Sequence, residues 1–138
     1  GIDLGVNTYY FVANNFIDTL WAVGIDVNIS TYSTISNNVI RGLNLNDSSS
    51  HLIKDVGSYD VVSNNTLLNS NSQAIQVATS ATQVSIINNY IYNACRDSIY
   101  VNTSALKLNI CHNYIAFSTT YNACKGIYLY EFNINITK

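Results

Sequence analysis

Apolar and polar residues alternate along this chain in short runs, and the runs come back at a fixed interval. Five polar corners mark the interval: Asn14-Asn15, Asn37-Asn38, Asn64-Asn65, Asn88-Asn89 and His112-Asn113. The second Asn falls at 15, 38, 65, 89 and 113, in steps of 23, 27, 24 and 24. Three residues before it stand Val12, Ile35, Val62, Ile86 and Ile110; two after it stand Ile17, Ile40, Leu67, Ile91 and Ile115. All ten flanking positions are aliphatic. A period of this length is the signature of a solenoid, in which one repeat position becomes one row in space.

A second column runs in register with the first. Gly1-Ile2-Asp3-Leu4, Gly24-Ile25-Asp26-Val27, Ala74-Ile75-Gln76-Val77, Ser98-Ile99-Tyr100-Val101 and Gly126-Ile127-Tyr128-Leu129 share the order small, apolar, variable, apolar. Each coil therefore reads as a short strand, a turn, a second strand, the Asn corner and a third short strand. Alternation over runs this short, rich in β-branched residues, predicts strands rather than helices. In the third coil either Leu43-Asn44-Leu45 or Leu52-Ile53 fits the first strand. Asn suits the corner because it tolerates a left-handed backbone. Stacked in register, its amide can also bond to the coils above and below. An Asn-rich low-complexity tract would not keep ten flanking positions aliphatic.

These residues resemble the right-handed parallel β-helix repeat of pectate-lyase-like proteins, viral tailspikes and many cell-surface proteins. The resemblance covers nearly the whole chain. It implies an all-β solenoid of about five coils of 23–28 residues with an Asn ladder, forming a single domain over 1–138. Function does not follow from such a fold. The chain opens in repeat register at Gly1 with no capping segment, which predicts a fragment or one domain of a longer protein.

Composition narrows the classes. Charged residues are 10% of the chain, against ~25% in ordinary soluble domains. Net charge is −2, so there is no basic footprint for nucleic acid. No apolar run approaches the ~18 residues that span a membrane. Five N-glycosylation patterns occur. Asn46 is the best placed, in a polar loop; Asn28, Asn102 and Asn135 follow, and Asn64 ranks last because the corner is expected to bury it. Tyr92-Asn-Ala-Cys95 and Tyr121-Asn-Ala-Cys124 are near-copies, so Cys95 and Cys124 are candidates for a disulfide between neighbouring coils, with Cys111 left over. No metal-ligand spacing and no cofactor motif is present.

Candidate chemistry is sparse. Asp3 and Asp26 share one repeat position and could form an acid pair of the glycosidase type, or hold calcium. Asp47, His51, Lys54, Asp55 and Asp60 cluster in the third coil and supply the residue types of a lyase. Plain solvated acids are the simpler account of both groups. Tyrosines form the stronger signal. Tyr100 with Tyr128, and Tyr90 with Tyr114, are predicted to be outward, stacked pairs. Such rings suit recognition of sugars or proteins, although neighbouring aromatics also stabilise strands. The threonines fall in no single column, which removes a flat ice-binding array. The sequence thus weighs toward a noncatalytic extracellular module at a cell or virion surface. Its expected partners are glycans or other subunits, and a homo-oligomer is compatible with this. The alternative is a polysaccharide lyase or hydrolase.

Overall fold

The structure is a computed structural model, and it describes residues 1–6, 8–20, 22–42, 50–101, 107–117, 125–129 and, for the backbone, 134–137. Every regular element in these segments is a β-strand. The first coil holds β1 (Ile2–Asp3), β2 (Phe11–Ala13) and β3 (Phe16–Leu20). The second holds β4 (Ile25–Asp26), β5 (Thr34–Ser36) and β6 (Val39–Gly42). The third holds β7 (Ile53–Val56), β8 (Asp60–Ser63) and β9 (Thr66–Leu68). The fourth holds β10 (Ile75–Val77), β11 (Gln83–Ile87) and β12 (Tyr90–Tyr92). The fifth holds β13 (Asp97–Val101), β14 (Lys107–Cys111) and β15 (Tyr114–Ala116), and β16 (Lys125–Leu129) and β17 (Ile134–Thr137) come after it.

Every third strand pairs in parallel, which makes three sheets and a β-solenoid. Sheet one orders β1-β4-β7-β10-β13-β16, sheet two β2-β5-β8-β11-β14-β17 and sheet three β3-β6-β9-β12-β15. The registers match the sequence columns: Ile2 faces Ile25, Val12 faces Ile35, Ile86 faces Ile110 and Ile91 faces Ile115. Inside, Ile25, Ile35, Ile53, Ile75, Ile86, Ile91 and Ile99 are fully buried. Truncating one of them to Ala would cost ~2–5 kcal/mol.

In the third coil the first strand is β7, begun by Ile53, which faces Ile25 on one side and Ile75 on the other. Leu43-Asn44-Leu45 lies outside the described residues. Val56, not Asp55, faces Val77, so Asp55 is an extra residue with φ 54°. This β-bulge stretches the Ile-x-Val spacing to Ile-x-x-Val.

At each Asn corner the two residues divide the work. The first takes the left-handed backbone: φ is 60° at Asn14, 55° at Asn37, 56° at Asn64, 56° at Asn88 and 55° at His112. The second builds the ladder. Asn38 donates its backbone N–H and its side-chain Nδ2 to Oδ1 of Asn65, at 2.9 and 3.0 Å. Asn65 does the same to Asn89, and Asn89 to Asn113. The remaining Nδ2 hydrogen reaches backward: Asn65 donates to the Ile35 carbonyl at 2.9 Å and Asn89 to that of Val62 at 2.9 Å. Buried amides are thereby satisfied on all sides, which their removal from water requires.

Two further corners complete the coil. Between sheets three and one, Thr19, Asn69 and Asn93 are left-handed, and Asn93 donates to Asn69 Oδ1 at 3.2 Å. Between sheets one and two Tyr9, Tyr32 and Tyr59 are left-handed in successive coils, and the second coil adds Asn28 and Ile29. No described glycine has positive φ. Glycine serves close approach instead: a Cβ on Gly24 would lie 2.5 Å from the Leu52 carbonyl and 2.7 Å from Ile40.

Candidate functional site

The acids singled out by sequence separate onto two sheets. Asp3 and Asp26 face each other in sheet one, as their shared repeat position requires. Asp26 next meets Lys54 across β4 and β7, with Lys54 Nζ 3.6 Å away. The same ammonium bonds to Asp55 Oδ2 at 2.8 Å. That bond, aided by the charges of Asp55 and Asp26, holds the Lys54 pKa above its ordinary value. A lysine held in this way keeps its proton and is a poor general base.

Asp60 lies in sheet two and is interior, at 1% exposure. One carboxylate oxygen accepts the Ser33 N–H at 2.6 Å and the other the Gly57 N–H at 2.8 Å. Burial pushes its pKa up to about 6, and the two backbone hydrogen bonds oppose the shift. Its oxygens are engaged in holding two turns, so the candidate acid is a buried structural residue. Asp47 lies outside the described residues.

The predicted tyrosine pairs form. Tyr90 and Tyr114 stack with ring centroids 5.1 Å apart and planes 5° apart, and both are exposed on sheet three. Tyr100 and Tyr128 stack at 5.5 Å and 5° on sheet one. These two are half-buried rather than fully outward, and Lys125 Nζ lies 4.3 Å from the Tyr128 ring centroid. The two pairs occupy different sheets, so they do not make one continuous platform.

A third row is longer, and sequence reasoning missed it. Tyr9, Tyr32 and Tyr59 stack in three successive coils, with centroids 5.3 and 4.7 Å apart and planes 17° and 7° apart. All three are exposed. All three are also left-handed, with φ of 67°, 59° and 62°. For a bulky residue this is a true outlier, costing roughly 1–3 kcal/mol, and such strain gathers at functional sites. The row was detectable: Tyr9, Tyr32 and Tyr59 each stand six residues before a ladder Asn. The same offset gives Gln83 and Lys107, which continue the column through β11 and β14. A shallow depression of about 260 Å³ lies beside it, lined by Tyr32, Tyr59, Asp60, Val61, Gln83 and Ser85. A second, of about 270 Å³, is lined by Tyr59, Thr82, Gln83 and Lys107.

Of the glycosylation candidates, Asn28 is half-buried at a tight turn. Asn64 is exposed, because the first corner residue points out while Asn65 is buried; the expectation that the corner would bury it is corrected. Asn46 and Asn102 lie outside the described residues, and Asn135 is described only as backbone in β17. Cys124 also lies outside them, so the Cys95–Cys124 pairing does too. Cys111 is a free thiol in β14. Among the described residues no group of three or more His, Cys, Asp or Glu is placed to hold a metal ion, and no helix is long and apolar enough to cross a membrane.

No family model matches the chain, and comparison with curated proteins and with solved structures gives no match either.

Proposed function

We propose that this chain is a noncatalytic extracellular module, a host-attachment spike or cell-surface stalk, that binds glycans or other protein subunits through rows of tyrosine on a rigid solenoid. The observation that carries the reading is the strained row Tyr9-Tyr32-Tyr59. Asn or Gly would fill those corners at lower cost, yet three stacked rings stand there, exposed. Tyrosine offers an apolar ring and a hydroxyl with few rotamers to freeze, which suits a binding surface. The Tyr90–Tyr114 and Tyr100–Tyr128 pairs give two further contact strips. Support against a catalytic role comes from the acids and the lysine: Asp60 serves two turns, and Lys54 is held protonated by Asp55 and Asp26.

The experiment compares binding with cleavage. Wild type, Tyr32→Ala, Tyr90→Ala, Tyr100→Ala, Asp26→Asn and Asp55→Asn are applied to a glycan array and to a reducing-end release assay on polysaccharides. Weakened attachment in the Tyr variants with no release of reducing ends supports the reading. Release that disappears in an Asp variant overturns it in favour of a polysaccharide-degrading enzyme.

A further inference from the structure

The tyrosine row stops at Tyr59, and the next residues in its column are different in kind. Asp60 pairs with Val84, which sets Gln83 opposite Tyr59, and Gln83 pairs with Lys107. One face of the Tyr59 ring is covered by Tyr32 at 4.7 Å. On the other side the row steps down from a ring to an amide and then to an ammonium. Both surface depressions lie at this step, and both are lined by Tyr59 and Gln83. Their volumes, about 260 and 270 Å³, fall below the ~300–1,000 Å³ of pockets that enclose a drug-sized molecule. Each is suited to a single ring lying against the wall.

The chemistry of the lining is specific. Tyr59 offers an aromatic wall. Gln83 offers a donor and an acceptor, and Thr82 and Ser85 offer hydroxyls. Lys107 is exposed and makes no ion pair with any described residue, whereas Lys54 and Arg41 are both paired with aspartates. An apolar face edged by Gln83, Thr82 and Ser85, with the Asp60 carboxylate taken up by the Ser33 and Gly57 amides, matches a pyranose ring. An ammonium without an ion pair among the described residues, set beside it, matches an anion. Asp60 fixes the wall from within, since it holds the Gly57 and Ser33 amides at the two turns that carry Tyr59 and Tyr32.

We propose that Tyr59, Gln83 and Lys107 form a subsite for an anionic sugar residue, with the pyranose ring on Tyr59 and its carboxylate or sulfate at Lys107. This rests on the glycan branch of the function proposed above and names its ligand class and place. The row Tyr9-Tyr32 then acts as the support that fixes the Tyr59 ring, and the sugar extends the stack by one more ring.

The test is titration calorimetry with three probes: a hyaluronan hexasaccharide carrying carboxylates, a κ-carrageenan hexasaccharide carrying sulfates, and neutral maltohexaose. The proteins are wild type, Tyr59→Asn, Lys107→Gln, Tyr90→Ala to probe the other tyrosine strip and, as a remote control, Phe16→Ala, exposed on sheet three. Asn keeps the left-handed corner while removing the ring, and thermal unfolding checks that each variant is folded. The expected result is binding of at least one charged probe in preference to the neutral one. Tyr59→Asn then weakens it roughly tenfold. Lys107→Gln weakens only the charged probes, by about two- to fivefold as befits an exposed ion pair, and flattens their salt dependence. Equal binding of the neutral probe, untouched by Lys107→Gln, overturns the anionic subsite and leaves the glycan reading standing. Charged-probe binding lost in Tyr90→Ala but kept in Tyr59→Asn overturns the location. No binding of any of the three probes by folded wild type overturns the subsite, and failure on the glycan array as well removes the glycan reading with it.

Discussion

Asp60 accepts the backbone N–H of Ser33 from the neighbouring coil at 2.6 Å. Ser33 directly follows Tyr32 and Asp60 directly follows Tyr59, so one buried carboxylate ties together two turns whose rings stack outside. Its second oxygen closes its own turn through the Gly57 N–H. Burial dominates the energetics of the group and raises its pKa to about 6.

Stability should therefore depend on pH through Asp60. Its folded pKa is about 6, against about 3.9 for an unfolded Asp. Between these values the folded state binds more protons than the unfolded one, so unfolding free energy falls as pH rises. The contribution is fully present below about pH 4 and is lost as pH passes about 6, a total of about 3 kcal/mol at ~1.4 kcal/mol per unit. Asp60→Asn removes this dependence while losing one acceptor. Denaturant titrations at pH 4, 5, 6 and 7 should show the stability difference, wild type minus Asp60→Asn, shrinking with rising pH. Parallel curves, or a growing difference, would contradict the assignment.

The two residues of a corner should respond oppositely to glycine. At Asn64 the backbone is left-handed and the side chain is exposed, so Asn64→Gly should change stability by less than about 0.5 kcal/mol. Asn65→Gly removes the acceptor of the Asn38 N–H and Nδ2 and the donor to the Ile35 carbonyl. Each buried group left unsatisfied costs about 1–3 kcal/mol, so this variant should lose several kcal/mol. Urea midpoints for the two proteins decide it; similar losses would mean that the ladder is not the stabilising element.

Most of the fold was legible in the sequence because a solenoid repeats its physics. Ten aliphatic positions around the Asn pairs, and the Ile2-Ile25-Ile75-Ile99-Ile127 column, record the interior directly. The third coil was ambiguous because the bulge at Asp55 displaces Val56 by one residue, and alternation is read only where spacing is kept. The fate of Asp60 was hidden for another reason. A polar residue at a buried position looks like a surface residue until its partners are known, and those partners are backbone amides, one of them 27 residues away. The Tyr9-Tyr32-Tyr59 row had a sequence signal in its constant offset from the ladder. Bulky residues are not expected at left-handed corners, however, and propensity gave no reason to look for a turn there.

A strained turn at Asn28-Ile29 offers a gain in stability. Both residues are left-handed, with φ of 52° and 58°, and the Ser30 N–H closes the turn onto the Val27 carbonyl at 3.0 Å. This is the geometry that Asn-Gly prefers. A β-branched side chain there costs roughly 1–2 kcal/mol, while Gly loses about 0.5–1 kcal/mol of chain entropy. Ile29 is exposed, so little packing is lost. Ile29→Gly should raise stability by up to about 1 kcal/mol, seen as a higher urea midpoint with an unchanged slope. A lower midpoint would show that Ile29 packs against a neighbour more than its exposure indicates.

The tyrosine row sets strain against stacking, and the balance should differ along it. Each ring in a left-handed corner costs roughly 1–2 kcal/mol relative to a residue that tolerates it, and each stacked pair returns ~0.5–1.5 kcal/mol. Tyr9 has one stacked neighbour and is 75% exposed, so strain outweighs stacking. Tyr32 has two neighbours and is 49% exposed, so the terms are near balance. Tyr9→Asn should therefore raise stability by up to about 1 kcal/mol, and Tyr32→Asn should be neutral or destabilising. Thermal melts of the two variants and of the double variant test this directly. If strain is tolerated for the sake of binding, Tyr9→Asn will also bind its glycan less well while being the more stable protein. A variant that is both less stable and unchanged in binding would show that the rings serve packing alone.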